Sequence, residues 1–247
     1  MAFQKYAPQS LDRSISNWYV PQNCFKNLKE EHIKSKISAG SFGTIYDLCD
    51  DNNICQKIAK VVPLVVLPSK EMGAIDSYIN GFETAERYSQ LINQKTDEEE
   101  YNPETVFNDE VETTRLASDL GVAPKLFNSF ICPDVLRFPE GGKLIPLGFI
   151  IQEKWDITLG DYYKNYGEKL PQNLITEIKR KVKLLHQHGI VHADIDPRNI
   201  VLRIQHLPDG NVKPIDIALI DFGISERFDK VQDSISNFEM RRLERIL

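Results

Sequence analysis

Two stretches of sequence, VHADIDPRN at residues 191–199 and LIDFG at residues 219–223, contain three side chains with complementary chemistry. Asp194 and Asn199 lie five positions apart in the first stretch, and Asp221 follows a strand-like apolar run in the second. A carboxylate can orient a substrate hydroxyl, while an amide and another carboxylate supply oxygen ligands for Mg²⁺. We therefore predict a site that binds the magnesium ion bridging the phosphates of ATP.

The length and composition of the chain predict a globular protein. The 247 residues are 41% hydrophobic, which is enough to bury a sizeable core as one two-lobed unit or two small domains. The net charge of -6 gives no electrostatic support for nucleic-acid binding. We see neither a signal peptide nor the ~20 apolar residues that a membrane span requires. We therefore expect a soluble, cytoplasmic protein with no membrane partner.

The four cysteines, Cys24, Cys49, Cys55 and Cys132, are widely scattered. Their spacing matches no C-x-x-C or Cys/His pattern of the kind that zinc sites use. We therefore expect free thiols in a reducing compartment.

Hydrophobic periodicity and turn residues predict an ordered series of helices and strands. A hairpin should lie between residues 37 and 66, with its turn at 50–53. Apolar spacing favours helices at 70–94, 104–120, 171–189 and 238–247, and further strands at 126–132, 147–152, 200–204 and 215–220. The last two strands would pair and hold Asn199 and Asp221 in register.

VHADIDPRN resembles the H-x-D-x-x-x-x-N catalytic loop of the protein-kinase superfamily, and LIDFG resembles its D-F-G element. The resemblance implies an α+β, two-lobed protein-kinase-like fold with a β-rich N-lobe and a truncated helical C-lobe. The implied division is an N-terminal arm at 1–34, an N-lobe at 35–152 with a helical insertion at about 68–103, and the C-lobe at 153–247. It also implies a phosphotransferase that uses ATP and Mg²⁺, foremost an atypical serine/threonine protein kinase.

The resemblance also assigns roles around the catalytic loop. Asp194 would accept or orient the proton of the attacking hydroxyl, and Asn199 and Asp221 would bind Mg²⁺. His192 would mainly brace the loop. Arg198 would supply a cation, because Asp196 occupies the place of the lysine that usually neutralises the transferring phosphate.

The first lobe would bind the nucleotide. Lys57 resembles the V-A-I-K lysine that contacts the phosphates, whereas its rival Lys60 would point to the opposite face of the strand. Glu110 would orient the lysine, with Glu112 as the alternative. The other implied nucleotide contacts are the Gly-rich turn with Ser38, Gly40, Ser41, Phe42 and Gly43, Ile45 and Cys55 at the adenine ring, Gln152 as gatekeeper, and Glu153 at the start of the hinge.

Departures from the superfamily pattern predict an unusual member. Ala193 replaces the arginine that often binds a phosphorylated activation loop, which implies constitutive or partner-dependent activity. The chain stops soon after Gly223 without an A-P-E motif, so the peptide-docking platform should be reduced. The exposed underside would then suit a protein substrate, a regulatory protein partner or a second copy of the chain.

These proportions resemble two minimal kinases, the RIO family and the small kinase-ATPase of the tRNA threonylcarbamoyladenosine complex. The insertion between Lys57 and Glu110 instead resembles divergent kinases of large DNA viruses or bacterial effectors, which would act in a host cytoplasm. Two other functions stay open. One is an ATPase or small-molecule kinase of the same fold, and the other is a pseudokinase scaffold.

Overall fold

The chain has an α+β fold that divides into two compact units in the computed structural model. Unit 1 contains residues up to 64 together with 102–108 and 126–154, and unit 2 contains 109–125 and 155–247. The structure describes residues 18–19, 24, 26–28, 31–40, 43–64, 102–137, 144–167 and 169–247. The predicted insertion, apart from its last residues, and the predicted contacts Ser41 and Phe42 lie outside the described residues.

Unit 1 is built on one antiparallel sheet with the strand order β1-β5-β6-β4-β3-β2. Its strands are β1 (Trp18–Tyr19), β2 (His32–Gly40), β3 (Gly43–Cys49), β4 (Lys57–Pro63), β5 (Leu126–Arg137) and β6 (Leu144–Glu153). Alternate residues of the central strands, among them Tyr46, Ala59 and Phe149, bury one face of the sheet. The predicted hairpin and its turn are confirmed, because Asp50 accepts hydrogen bonds from the backbone N–H groups of Asn52 and Ile54. β2 begins at His32, inside the predicted arm.

All four cysteines form disulfides, one between Cys24 and Cys132 and one between Cys49 and Cys55. The first joins Cys24, which lies between β1 and β2, to β5, and the second closes the turn between β3 and β4. The prediction of free thiols is therefore wrong. The sequence did not reveal these bonds, because neither one joins cysteines at a recognisable spacing. The cytoplasmic location that was inferred with it stays a prediction. None of the helices in the described residues has the length and apolar character to cross a membrane.

Among the described residues, the long helix α1 (Pro103–Asp119) follows the predicted position closely. It ends where Gly121 adopts a left-handed conformation, with φ of +67°. Phe107 in its first turns packs against Gly148 of β6, where a Cβ atom would overlap the aromatic ring. The missing side chain at Gly148 therefore lets the helix approach the sheet closely.

Unit 2 combines helices with two small antiparallel sheets. Its helices are α2 (Leu159–Tyr166), α3 (Gln172–Gln187) and α4 (Asp233–Ile246), and its strands are β7 (Ile157–Thr158), β8 (Ile190–Val191), β9 (Ile200–His206), β10 (Val212–Leu219) and β11 (Glu226–Arg227). Leu174, Ile178, Val182 and Leu185 form the buried stripe of α3, at the spacing that predicted this helix. The predicted pairing of β9 with β10 is also confirmed.

Candidate active site

The loop between β8 and β9 holds Asp194 and Asn199 in direct contact. The Asn199 Nδ2 group donates hydrogen bonds to the Asp194 carbonyl oxygen at 3.0 Å and to its carboxylate Oδ2 at 2.8 Å. Residues Pro197–Asn199 form one 3-10 turn, which places the amide over the carboxylate. Because Nδ2 is the donor, the Asn199 Oδ1 atom remains an acceptor that suits a hard cation.

Asp221 lies beside this pair because β10 ends where β9 begins. Ile200 pairs with Leu219, and the Ile220 N–H donates to the Asn199 carbonyl oxygen at 2.9 Å. Asp221 itself has a positive φ of 66°, an uncommon conformation for a residue with a side chain. The sequence-predicted carboxylates and carboxamide are thus brought to one place in unit 2.

His192 braces the two stretches, as the sequence predicted. Its side chain is completely buried, its Nε2 atom lies 3.0 Å from the Ile220 carbonyl oxygen, and its ring packs against Phe222 at 4.8 Å between centroids. The ring thus contacts the residues on either side of Asp221.

A buried carboxylate, Glu239 of α4, accepts hydrogen bonds from the backbone of the loop between β8 and β9. Its Oε1 atom accepts from the Ala193 N–H at 2.8 Å, and its Oε2 atom accepts from the His192 N–H at 3.4 Å. Oε2 also lies 2.6 Å from His186 Nε2, and His186 Nδ1 lies 2.7 Å from Ser236 Oγ. Ala193 has a φ of 66°, so the carboxylate holds a strained backbone in place.

Arg242, one turn after Glu239 on α4, reaches Asp194. Its Nη2 atom lies 3.3 Å from Asp194 Oδ1, and its Nη1 atom lies 3.5 Å from the Ala193 carbonyl oxygen. Sequence reasoning missed both α4 residues. The available signal was their three-residue spacing, which puts an acidic and a basic side chain on one face of the predicted tail helix.

Asp196 serves the loop as a cap. Its Oδ1 atom accepts hydrogen bonds from the Arg198 backbone N–H at 2.9 Å and from Arg198 Nε at 2.8 Å. Partial burial would raise the pKa of the Asp196 carboxyl, but these bonds and the charges of Arg198 and Arg242 outweigh it, so its pKa lies below the usual value. The predicted cation Arg198 is therefore bound to a carboxylate, and its side chain is 81% exposed.

The two candidate lysines of unit 1 lie on opposite faces of β4. Lys57, the first residue of the strand, forms an ion pair with Glu31 at 2.6 Å and lies over the Phe127 ring. Lys60 is only 6% exposed and pairs directly with Ile45, so these two side chains share one face. Ile45 and Lys57 therefore point to opposite sides of the sheet.

The sequence model of the lipopolysaccharide kinase (Kdo/WaaP) family matches residues 149–247. A probable serine/threonine-protein kinase of Dictyostelium discoideum is 37% identical over 114 residues, which are 44% of this chain and 20% of that protein. Serine/threonine-protein kinase 17A of Oryctolagus cuniculus is 32% identical over 91 residues, 37% of this chain and 19% of the relative. The chain belongs to the protein-kinase-like superfamily. The aligned region spans only about a fifth of the length of either relative.

Membership of the superfamily gives a criterion for choosing between Lys57 and Lys60. A lysine that contacts the nucleotide phosphates should share a face of the sheet with the residue that covers the adenine ring. Ile45 and Lys57 do not, so they cannot contact one nucleotide from the same face, and the strand pairing favours Lys60 as the partner of Ile45. The contact of either lysine with a nucleotide stays a prediction. Ladder pairing places Gly148 on the face of Lys60, where Phe107 of α1 packs.

The structure also describes Cys55, Gln152 and Glu153, the nucleotide contacts that the resemblance predicted around β4 and β6. Cys55, which was predicted at the adenine ring, precedes β4 and is bonded to Cys49. It therefore does not lie on the strand of Lys57, and its contact with adenine stays a prediction. Gln152 is buried, and its Nε2 atom has no hydrogen-bond partner within the described residues. Its role as gatekeeper stays a prediction. Glu153 pairs with Lys57 and therefore points to the face opposite Gln152.

Four predicted contacts remain, which are Ser38, Gly40 and Gly43 in unit 1 and Glu110 in unit 2. Ser38 pairs with Ile45, and Gly40 pairs with Gly43 at the start of the β2–β3 hairpin. A Cβ atom at Gly43 would lie 2.7 Å from the Val61 carbonyl oxygen, so only glycine fits there. In unit 2, Glu110 is 5% exposed, whereas its alternative Glu112 is exposed and bound to Arg227 at 2.7 Å. Their contacts with a nucleotide stay predictions.

Proposed function

We propose that this protein transfers the γ-phosphoryl group of ATP, with Mg²⁺, to the hydroxyl of a serine or threonine in another protein. The observation that carries the proposal is the hydrogen bond from Asn199 to the Asp194 carboxylate, beside the strand end that positions Asp221. The names of the curated relatives support a protein acceptor.

Asp194, Asn199 and Asp221 have different roles in the proposed reaction. The Asp194 carboxylate accepts the hydrogen bond of the attacking hydroxyl and orients its oxygen toward the phosphorus. Asn199 fixes that carboxylate through Nδ2 and offers Oδ1 to the metal, while Asp221 offers its carboxylate oxygens. This donor set, with hard oxygen atoms and no sulfur or imidazole, fits magnesium. When bound, Mg²⁺ neutralises charge on the phosphates.

A sugar hydroxyl is the second candidate acceptor. The family model that matches residues 149–247 is named for lipopolysaccharide kinases, and this range contains all three of the side chains above. A sugar hydroxyl and a serine hydroxyl would both donate the same hydrogen bond to the Asp194 carboxylate. The acceptor must therefore be identified by experiment.

The test incubates the protein with γ-labelled ATP and magnesium, in parallel with casein, with histone and with a lipopolysaccharide core oligosaccharide. Label on protein supports the proposal, and label on the oligosaccharide alone supports the second candidate. Label found only as free phosphate would indicate an ATPase. Nucleotide binding without any turnover would indicate a pseudokinase scaffold.

Two isosteric variants and a control locate the activity. Asp194→Asn should lower the transfer rate by about 10²- to 10⁴-fold while the thermal shift produced by Mg-ATP persists. Asp221→Asn should weaken Mg-ATP binding itself, because it removes a charged metal ligand. Asp209→Asn changes a carboxylate in an exposed turn of the same unit and should leave both properties unchanged. Normal turnover in both site variants would refute the site.

A further inference from the structure

The transferring phosphoryl group is negatively charged, and a cation beside it stabilises the transition state. This requirement rests on the proposed function. At the expected position the chain has Asp196, and the nearby Arg198 donates both its backbone N–H and its Nε–H to that carboxylate. The Arg198 side chain is 81% exposed. Arg198 thus makes its hydrogen bonds to Asp196 and not to Asp194, although the charges of Asp194 and Asp221 help to raise its pKa after the larger effect of Asp196.

Arg242 of α4 is held there instead. Its Nη2 atom lies 3.3 Å from Asp194 Oδ1, on the carboxylate oxygen that Asn199 does not contact. The side chain is 31% exposed, so it is partly shielded but accessible to a ligand. The guanidinium also influences the other acidic group of the loop, since its charge helps to lower the pKa of Asp196.

The helix fixes where this guanidinium lies. Glu239, one turn earlier on α4, is completely buried and bonded to the backbone of the same loop. The anchor and the guanidinium therefore lie on the same side of α4 and reach adjacent residues, Ala193 and Asp194. A change in the position of α4 would move both contacts together.

The usual distances between a carboxylate, an attacking hydroxyl and phosphorus put the phosphoryl group within reach of a guanidinium that contacts Asp194. An attacking hydroxyl lies ~2.6–3.2 Å from the carboxylate that orients it. The phosphorus then lies about 3–3.5 Å beyond that hydroxyl in a reactive arrangement. An arginine presents its N–H donors in a planar fork that matches phosphate oxygens, so one edge can hold Asp194 while another reaches the phosphoryl group.

We propose that Arg242 is the cation that binds the transferring phosphoryl group, in place of the lysine that Asp196 replaces. The guanidinium donates hydrogen bonds to the phosphoryl oxygens as charge develops on them, and it keeps Asp194 oriented. A helix far from the catalytic loop in sequence thus supplies the catalytic charge.

The experiment compares two complexes of the same protein by calorimetry. One is formed with MgADP, and the other with MgADP plus aluminium fluoride, which imitates the phosphoryl group in transfer. Arg242→Gln should bind MgADP within about twofold of the wild type but bind the fluoride complex ~10²-fold more weakly. Arg242→Lys should fall between the two, because it keeps the charge and loses the fork. Turnover should follow the same order in kcat, with little change in the KM for ATP.

Arg241→Gln is the matched control. Arg241 is the preceding residue, is exposed, and, within the described residues, donates a hydrogen bond to its own helix at the Asn237 carbonyl oxygen. This variant should match the wild type in both complexes. Thermal melting of every variant without nucleotide shows whether it is folded, and because affinity for the fluoride complex is expressed relative to affinity for MgADP, a purely structural role would leave that ratio unchanged.

Three outcomes would overturn the inference. If Arg242→Gln keeps the wild-type ratio of the two affinities, or if it transfers phosphate faster than the wild type, Arg242 is not the phosphoryl ligand. These results would leave the proposed function intact, because the wild type still binds and turns over ATP. A wild-type protein that binds neither complex would instead refute the proposed function, and the inference with it.

Discussion

Replacing Glu239 by alanine should destabilise unit 2 more than any other single change at a helix residue of the site. The side chain is completely buried and receives hydrogen bonds from the N–H groups of Ala193 and His192 and from the ring of His186. Each buried donor left without a partner costs about 1–3 kcal/mol. Because the three costs are not additive, we expect a loss of about 3–5 kcal/mol, the range for breaking a buried pair from one side.

Glutamine at the same position separates hydrogen bonding from shape. In Glu239→Gln the carbonyl oxygen still accepts from Ala193, and His186 can change tautomer, accepting from the new amide and donating to Ser236. Only the weak hydrogen bond from the His192 N–H, at 3.4 Å, is lost, because the amide NH₂ group of glutamine replaces its acceptor Oε2. We therefore expect a loss of about 1–2 kcal/mol, close to that of one hydrogen bond.

Urea denaturation and thermal melting measure both variants. For a chain of this size about 2–4 °C in Tm corresponds to 1 kcal/mol, so Glu239→Ala should melt roughly 6–20 °C below the wild type. Glu244→Ala is the control on the same helix, because that carboxylate is exposed and forms a surface ion pair with Lys179, so its removal should leave the melting temperature close to that of the wild type. An alanine variant that unfolds at the wild-type urea concentration would refute the view that Glu239 anchors the loop.

Three further predictions address unit 1. Lys60→Met should lower kcat/KM for ATP by ~10²-fold and Lys57→Met far less, as initial rates at several ATP concentrations would show; equal losses would contradict the assignment by strand face. Removing the disulfide between Cys24 and Cys132 in the double variant Cys24→Ala/Cys132→Ala, which keeps the bond between Cys49 and Cys55, should lower the free energy of unfolding by up to about 4–5 kcal/mol. Urea denaturation measures the change, and an unchanged midpoint would argue against the bond. Gly148→Ala should cost about 1–3 kcal/mol by overpacking against α1, and a variant as stable as the wild type would show that the helix can shift.

The parts of the site that sequence predicted are those encoded locally. Asp194 and Asn199 lie within one loop, and the alternation of apolar residues in β9 and β10 was enough to place Asp221 beside them. Helices α1 and α3 were predicted because their apolar residues follow the helical period and a glycine ends each pattern. Short-range physics determines all of these features.

The parts that were missed depend on contacts between distant segments. Glu239 lies 46 positions from Ala193, and Arg242 lies 48 from Asp194, so no local pattern joins them. The choice between Lys57 and Lys60 also depends on such a contact. Because side chains alternate along a strand, the pairing with the neighbouring strand, and not the position along the chain, determines which lysine shares a face with Ile45.

The bond between Cys24 and Cys132 also determines how the molecule responds to a protease. It encloses a covalent ring with a sequence separation of 108, so one cut anywhere within the ring opens it without releasing a fragment. A nicked molecule would keep its mass on a non-reducing gel and separate into pieces only after reductant is added. Limited proteolysis read under both conditions would therefore distinguish cuts inside the ring from cuts in unit 2 beyond it.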